Sequence, residues 1–199
     1  MGTIMTNSIF HNKEFELNGI SVPEFELKSG NLIRIYIPNF DSENQPLGFD
    51  LTIELIKHFQ NIKSDFPWAK NYRQNSIVEL LNPLTVEKYL INKMRIEKLT
   101  AEKIADEIGI KLIDKFEYLN FTNKKALIIK VLFEKNECIM LDYYGVDAIG
   151  IGFLEKLVNS EIKKGKSAIA FDRLEFKADN EPYENIKPIK ITVPNTVYN

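Results

Sequence analysis

The chain has 199 residues with 26 Lys and Arg against 28 Asp and Glu, a formal net charge of −2, and 44% hydrophobic residues. This is the composition of an ordinary globular protein with enough length to bury a core, and it excludes collagen, rods and disordered chains. The near-neutral balance lacks the basic excess that holds nucleic-acid phosphates, so no nucleic-acid partner is expected.

The first third predicts strands. Glu14-Phe15-Glu16-Leu17 and Glu24-Phe25-Glu26-Leu27-Lys28 alternate polar and apolar residues, as half-buried antiparallel strands do, with turns at Gly19 and Ser29-Gly30. Leu32 to Ile37 forms an apolar strand that stops at Pro38. Pro38 to Pro46 holds the loop formers Asn39, Asp41, Ser42 and Asn44, and the near-helical spacing of Leu51, Ile53, Leu55, Ile56 and Phe59 then predicts a helix.

The middle predicts helices. Thr85 caps one through Val86, Tyr89, Leu90 and Met94; Thr100 caps a second that runs to Ile108 with Gly109 as its stop; Thr122 caps a third through Ala126, Ile129, Leu132 and Phe133. From Cys138 the period changes. A short apolar run ends at Asp142, an amphipathic helix from Gly150 to Lys164 closes at Gly165, and a second apolar run, Ser167 to Phe171, ends at Asp172. Strand, helix, strand predicts a right-handed parallel crossover. The tail, with Pro182, Pro188 and Pro194 around Ile189 to Val193, supports at most an edge strand.

In a parallel sheet the ligand crevice lies beyond the carboxyl ends of the strands, where this chain places Asn39 with Asp41, Asp142 and Asp172. Aspartates at such positions also turn the chain and cap the following helix without any ligand.

The order of these landmarks, from about Phe15 to Glu175, resembles the ATP-binding domain of ABC transporters. Phe25 to Gly30, the strand after it and Pro38-Asn39 resemble that family's lead-in to its phosphate loop. Leu84-Thr85-Val86-Glu87-Lys88-Tyr89-Leu90 is similar to its "LTVEENL" stretch, Gln74 lies near its Q-loop glutamine, and Cys138 to Asp142 resembles its Walker B strand. A helix ending in Lys164-Gly165-Lys166 before the next strand completes the likeness. The resemblance implies an α/β fold: a P-loop-NTPase-like mixed sheet core with an N-terminal antiparallel β part and a helical subdomain at about 75–133, within one domain over 1–199.

The departures from that pattern bear on function. A phosphate loop needs glycines, a lysine, and a serine or threonine for magnesium. Pro38 to Leu47 contains no glycine and no lysine, and it puts Asp41 and Glu43 where an anion would sit. At about 6 Å and an effective dielectric near 20, each acid repels a phosphate charge by roughly 3 kcal/mol. Tyr143 follows Asp142 where the family's water-polarising glutamate stands, and a phenol is no base near neutrality. Tyr118 to Thr122 lacks the signature glycines, and Asp172-Arg173 stands near the switch histidine's place.

Asn39, Asp41, Glu43, Gln74, Asp142, Tyr143 and Asp172 therefore constitute a degenerate nucleotide site, with no catalytic residue, no metal and no cofactor. ATP and magnesium enter only in the alternative, an unconventional hydrolase that uses Asp142 and Asp172 to hold the metal. The resemblance implies a protein partner, a membrane permease subunit or a homodimer mate, docked on Pro67 to Leu84 through Trp68, Tyr72 and Gln74. The expected location is cytoplasmic, or peripheral to the inner membrane through that partner. No apolar stretch is long enough to span a bilayer, no signal peptide is recognised, and the single Cys138 in its apolar run fits a reducing compartment. Gly2 with Thr6 matches the myristoylation pattern, a match for which chance is the stronger account. Asp41 to Gln45 spaces oxygen ligands as a calcium loop does, but Pro46 and Thr52 stand where glycine and glutamate are required. His11 and His58 have no partners at zinc-ligand spacing, and the Lys124-Lys125 and Lys163-Lys164-Lys166 groups are solvated helix ends.

Overall fold

The computed structural model describes residues 7–41, 43–72, 82–173 and 186–191. The chain divides into two compact units: Met1–Trp68, Glu137–Tyr144 and Asn159–Asn199 in one, and Ala69–Asn136 with Gly145–Val158 in the other.

The first unit is organised by four parallel strands, in the spatial order β6–β7–β5–β8. These are β5 (Leu32–Ile37), β6 (Cys138–Asp142), β7 (Ser167–Arg173) and β8 (Ile186–Lys190). Leu32 to Ile37 is buried at every position, as a strand covered on both faces must be, which is why its sequence is apolar apart from Arg34 rather than an alternation. The tail strand pairs in register with β5, Leu32 opposite Ile186 and Tyr36 opposite Lys190, so it begins three residues before the expected Ile189.

Four short strands precede this sheet and form two antiparallel pairs. β2 (Phe15–Leu17) and β3 (Ile20–Val22) make a hairpin around Asn18-Gly19, both with positive φ, and β4 (Phe25–Lys28) pairs with β1 (Ser8–Asn12). Their apolar faces, together with Leu51, Leu55, Ile56 and Phe59 of helix α1 (Gly48–Ile62), bury Ile33, Ile35, Ile37, Met140 and Phe171 of the parallel sheet in one core. Phe10, Phe25, Phe59 and Phe66 meet there at tilted and edge-to-face angles. Burying each ring contributes about 1.5–3 kcal/mol. At the other edge of the sheet, Trp68 forms a parallel bridge with Met140, whose N–H donates to the carbonyl of Pro67 at 2.7 Å.

The second unit packs α2 (Lys98–Ile108) against α3 (Phe121–Lys135). The apolar side of α2 is Ala101, Ile104, Ala105 and Ile108, and Gly109 ends it in the left-handed conformation at φ +77°. Two expected caps are displaced. α2 begins after Glu97 with no side-chain cap, and Asn120 rather than Thr122 caps α3, its Oδ1 accepting from the N–H of Asn123 at 2.7 Å. Thr85 does cap, its Oγ1 accepting from Lys88 N–H, but the turns that follow, Lys88–Lys93, are π-helical. The wider turn is seen in the Met94 N–H bond to the Tyr89 carbonyl, five residues back. Lys125 is fully buried on α3 and donates to the carbonyl of Ala69, and Lys130 pairs with Glu107. α4 (Ala148–Lys163) belongs to this unit through Val158 and to the first unit beyond it.

Candidate functional site

Strand polarity fixes where a site can form in the first unit: β5, β6 and β7 run parallel, so their carboxyl ends, at Ile37, Asp142 and Arg173, lie on one side of the sheet. Beyond β5 the chain forms a loop of its own making. Phe40 bridges Pro46, the N–H of Asp41 donates to the Gln45 carbonyl, and Asn44 takes a positive φ of 57°. The Asp41 carboxylate then closes the turn, its Oδ1 accepting from the N–H groups of both Glu43 and Gln45 at 2.8 Å. Backbone N–H groups converging on one point make an anion-binding nest. Here the anion is a carboxylate of the same loop. Glu43 is exposed and turned to solvent.

The first turn of α1 lies where this loop ends. Leu47 and Gly48 donate their N–H groups to the carbonyl of Asn39, and no side chain caps the helix. Gly48 stands where the last glycine of a phosphate loop would open its helix, which puts Phe49 in the lysine position and Asp50 in the serine/threonine position. Sequence inspection passed over Gly48 because the motif leaves four residues between its glycines, whereas ten residues separate β5 from Gly48. Directly over Gly48 is Tyr144: a Cβ at position 48 would lie 2.9 Å from its hydroxyl. Thr52 Oγ1 donates to the Gly48 carbonyl at 2.8 Å and contacts the Tyr144 hydroxyl at 3.2 Å, and Phe49 meets the Tyr144 ring edge-on. Burial pushes the Tyr144 phenol up to about 12, with Asp142 and Asp172 adding to the shift and the Thr52 bond and Arg173 opposing it. It is a neutral hydroxyl at any working pH.

The two strand-end aspartates diverge. Asp142 is 2% exposed; its Oδ2 accepts from Trp68 Nε1 at 3.0 Å and its Oδ1 from the N–H of Tyr144 at 3.2 Å. In the sheet register Asp142 is opposite Phe171, so it leaves on the face of Met140 and Ile35, while Asp172, opposite Tyr36, leaves on the other face. There Asp172 approaches the buried guanidinium of Arg34 at 3.8 Å and accepts from the N–H of Arg173 at 2.8 Å. The same guanidinium lies 5.8 Å from the centre of the ring of Tyr143, whose side chain is buried. Arg34 gave no sign in the sequence beyond being a lone charge in an apolar strand.

Trp68 and Tyr72 are both half-buried. Trp68 packs on the sheet core while bonding to Asp142. In the second unit, Tyr72 meets Tyr89 at a tilted angle and Phe116 edge-to-face, with the Lys93 ammonium 3.5 Å from its ring centre. Gln74 lies outside the described residues. Of Tyr118 to Thr122, the exposed Tyr118 ends a 3-10 turn that begins at Phe116, Asn120 caps α3, and Phe121 and Thr122 open that helix.

No protein-family model and no curated protein matches the chain. Its fold is similar to that of a Pyrococcus furiosus protein described as an ABC transporter (ATP-binding protein), with a TM-score of 0.63 and 11% identity over 88% of this chain and 92% of that one. An ATP-binding cassette of an ABC transporter gives 0.59 and 13% identity, over 94% and 90% of the two chains. The RNase-L inhibitor gives 0.58 and 14%, over 85% of this chain and 35% of its own length. The fold of this chain is thus similar to that of ABC-transporter ATP-binding domains, and at these identities the likeness is one of fold alone.

Proposed function

We propose that this protein is a non-catalytic subunit on an ABC-ATPase-like fold, acting through a protein partner rather than through nucleotide turnover. The observation that carries this reading is the β5–α1 loop, whose converging N–H groups are taken by Asp41 of the loop itself. Three features support it: Phe49 and Asp50 open α1 in place of a lysine and a hydroxyl, Tyr144 covers Gly48, and Tyr143 replaces the water-polarising acid. A phosphate entering here would displace a covalently tethered carboxylate and meet Asp50 in the same helical turn.

The partner belongs to the class that such folds serve, a membrane permease subunit or a second copy. The chain itself has no described helix long and apolar enough to cross a membrane. The docking region is Pro67 to Leu84, where Trp68 and Tyr72 offer half-exposed aromatic surface. Calorimetric titration with Mg-ATP and Mg-ADP tests the nucleotide half of the proposal: no saturable heat up to millimolar nucleotide is expected. Saturable binding with turnover that disappears in Asp142→Asn would establish the alternative, a magnesium-dependent hydrolase using Asp142 and Asp172. The departure of those two carboxylates on opposite faces of the sheet weighs against it.

A further inference from the structure

Trp68 and Tyr144 are the last residues of the first unit at two of the places where the chain passes into the second. They are far apart in sequence, and a single carboxylate holds both: Asp142 Oδ2 takes the indole N–H of Trp68, and Asp142 Oδ1 takes the backbone N–H of Tyr144. We propose that Asp142 is a junction residue, whose two oxygens fasten both chain exits to the end of β6. This rests on the reading of Asp142 as non-catalytic and gives that residue its role.

Each exit has a second attachment within the same unit. On the Trp68 side, the Met140 N–H donates to the Pro67 carbonyl, so the exit also continues the sheet past β6. On the Tyr144 side, the phenol hydroxyl reaches Thr52 of α1, and the ring stacks edge-on with Phe49. The next residue, Gly145, has φ +79°, a conformation that makes the chain turn sharply at this point. A buried carboxylate with one oxygen on each exit ties two segments that are far apart in sequence to one point of β6. The consequence is that both exits are held to the end of β6 by side chains of the first unit.

Hydrogen–deuterium exchange on the full chain without nucleotide tests this. Asp142→Leu removes both acceptors at similar volume, and amides of Ala69 to Tyr72 and of Tyr144 to Asp147 are expected to exchange at least tenfold faster, while β5 and β7 keep their protection. Trp68→Phe removes one donor and should accelerate exchange at Ala69 to Tyr72 alone, which keeps the test decisive where Asp142→Leu does not fold. Unchanged exchange at Ala69 to Tyr72 in Trp68→Phe, or an increase spread evenly over β5 and β7, overturns the junction. Hydrolysis lost in Asp142→Asn would instead reject the non-catalytic reading, and the exchange data would still decide the junction separately.

Discussion

The turn after β5 and the turn after β6 solve the same problem with different reach. Each follows a parallel strand, and in each an aspartate accepts hydrogen bonds at the strand's carboxyl end, Asp41 from two backbone N–H groups and Asp142 from one backbone N–H and an indole. Asp41 bonds to residues two and four positions ahead and is partly exposed, so water can replace what it supplies. Asp142 is buried and spans from Tyr144 to Trp68, 74 positions away in sequence. A local carboxylate shapes a loop; a buried, long-range one holds the tertiary structure.

Mutations should separate the two. Asp142→Leu removes the acceptor from an indole and a peptide N–H that are both part-buried and should cost about 2–4 kcal/mol by urea unfolding; a loss below about 1 kcal/mol would put Asp142 on a par with Asp41. Gly48→Ala forces a methyl to within 2.9 Å of the Tyr144 hydroxyl and should cost about 1–3 kcal/mol. Adding Tyr144→Phe deletes the atom being struck, so the double variant should recover most of that loss, and additive costs would show that the contact is not the cause. The same tyrosine bears on alkaline stability. Its folded pKa of about 12 exceeds the ordinary 10, so its contribution is complete below pH 10 and is lost as pH rises from 10 through 12. Tyr144→Phe should flatten part of that limb in a pH series of melts, and Tyr89 and Cys138, both also pushed up to about 12 by burial, should retain the rest. Asp41→Ala should cost less than about 1 kcal/mol in the same unfolding assay. Smallest of all, Tyr143→Glu should leave phosphate release from Mg-ATP indistinguishable from buffer, because a base accelerates only a phosphate that is already held.

Three strands of the sheet were legible in the sequence because β5, β6 and β7 are buried on both faces and spell largely apolar runs between clear stops at Pro38, Asp142 and Gly165. Helix starts were less so. Thr100 and Thr122 have the chemistry of caps, yet Glu97 and Asn120 hold those positions, since the entry of the chain is decided by packing as well as by the hydroxyl. At the site, the strand-end aspartates could be named from sequence. Their partners could not: Trp68 reaches Asp142, Tyr144 reaches Gly48 and Arg34 reaches Asp172 only through the register of the folded sheet. The extra length of the loop before Gly48 hid the glycine that best marks the start of α1.

The two rims of the parallel sheet bear on how this chain behaves when crowded. β8 has β5 as its one partner among the described residues, and its sequence Ile186-Lys187-Pro188-Ile189-Lys190 puts two charges and a residue with no N–H on that rim. The opposite rim, at β6, is met by Pro67 and Trp68. An open strand edge recruits strands from other molecules, and lysine, proline or a covering segment each prevents it. Resistance to fibre growth is thus built into both ends of the sheet, and the segment at Trp68 that closes one of them guards solubility as well as shape.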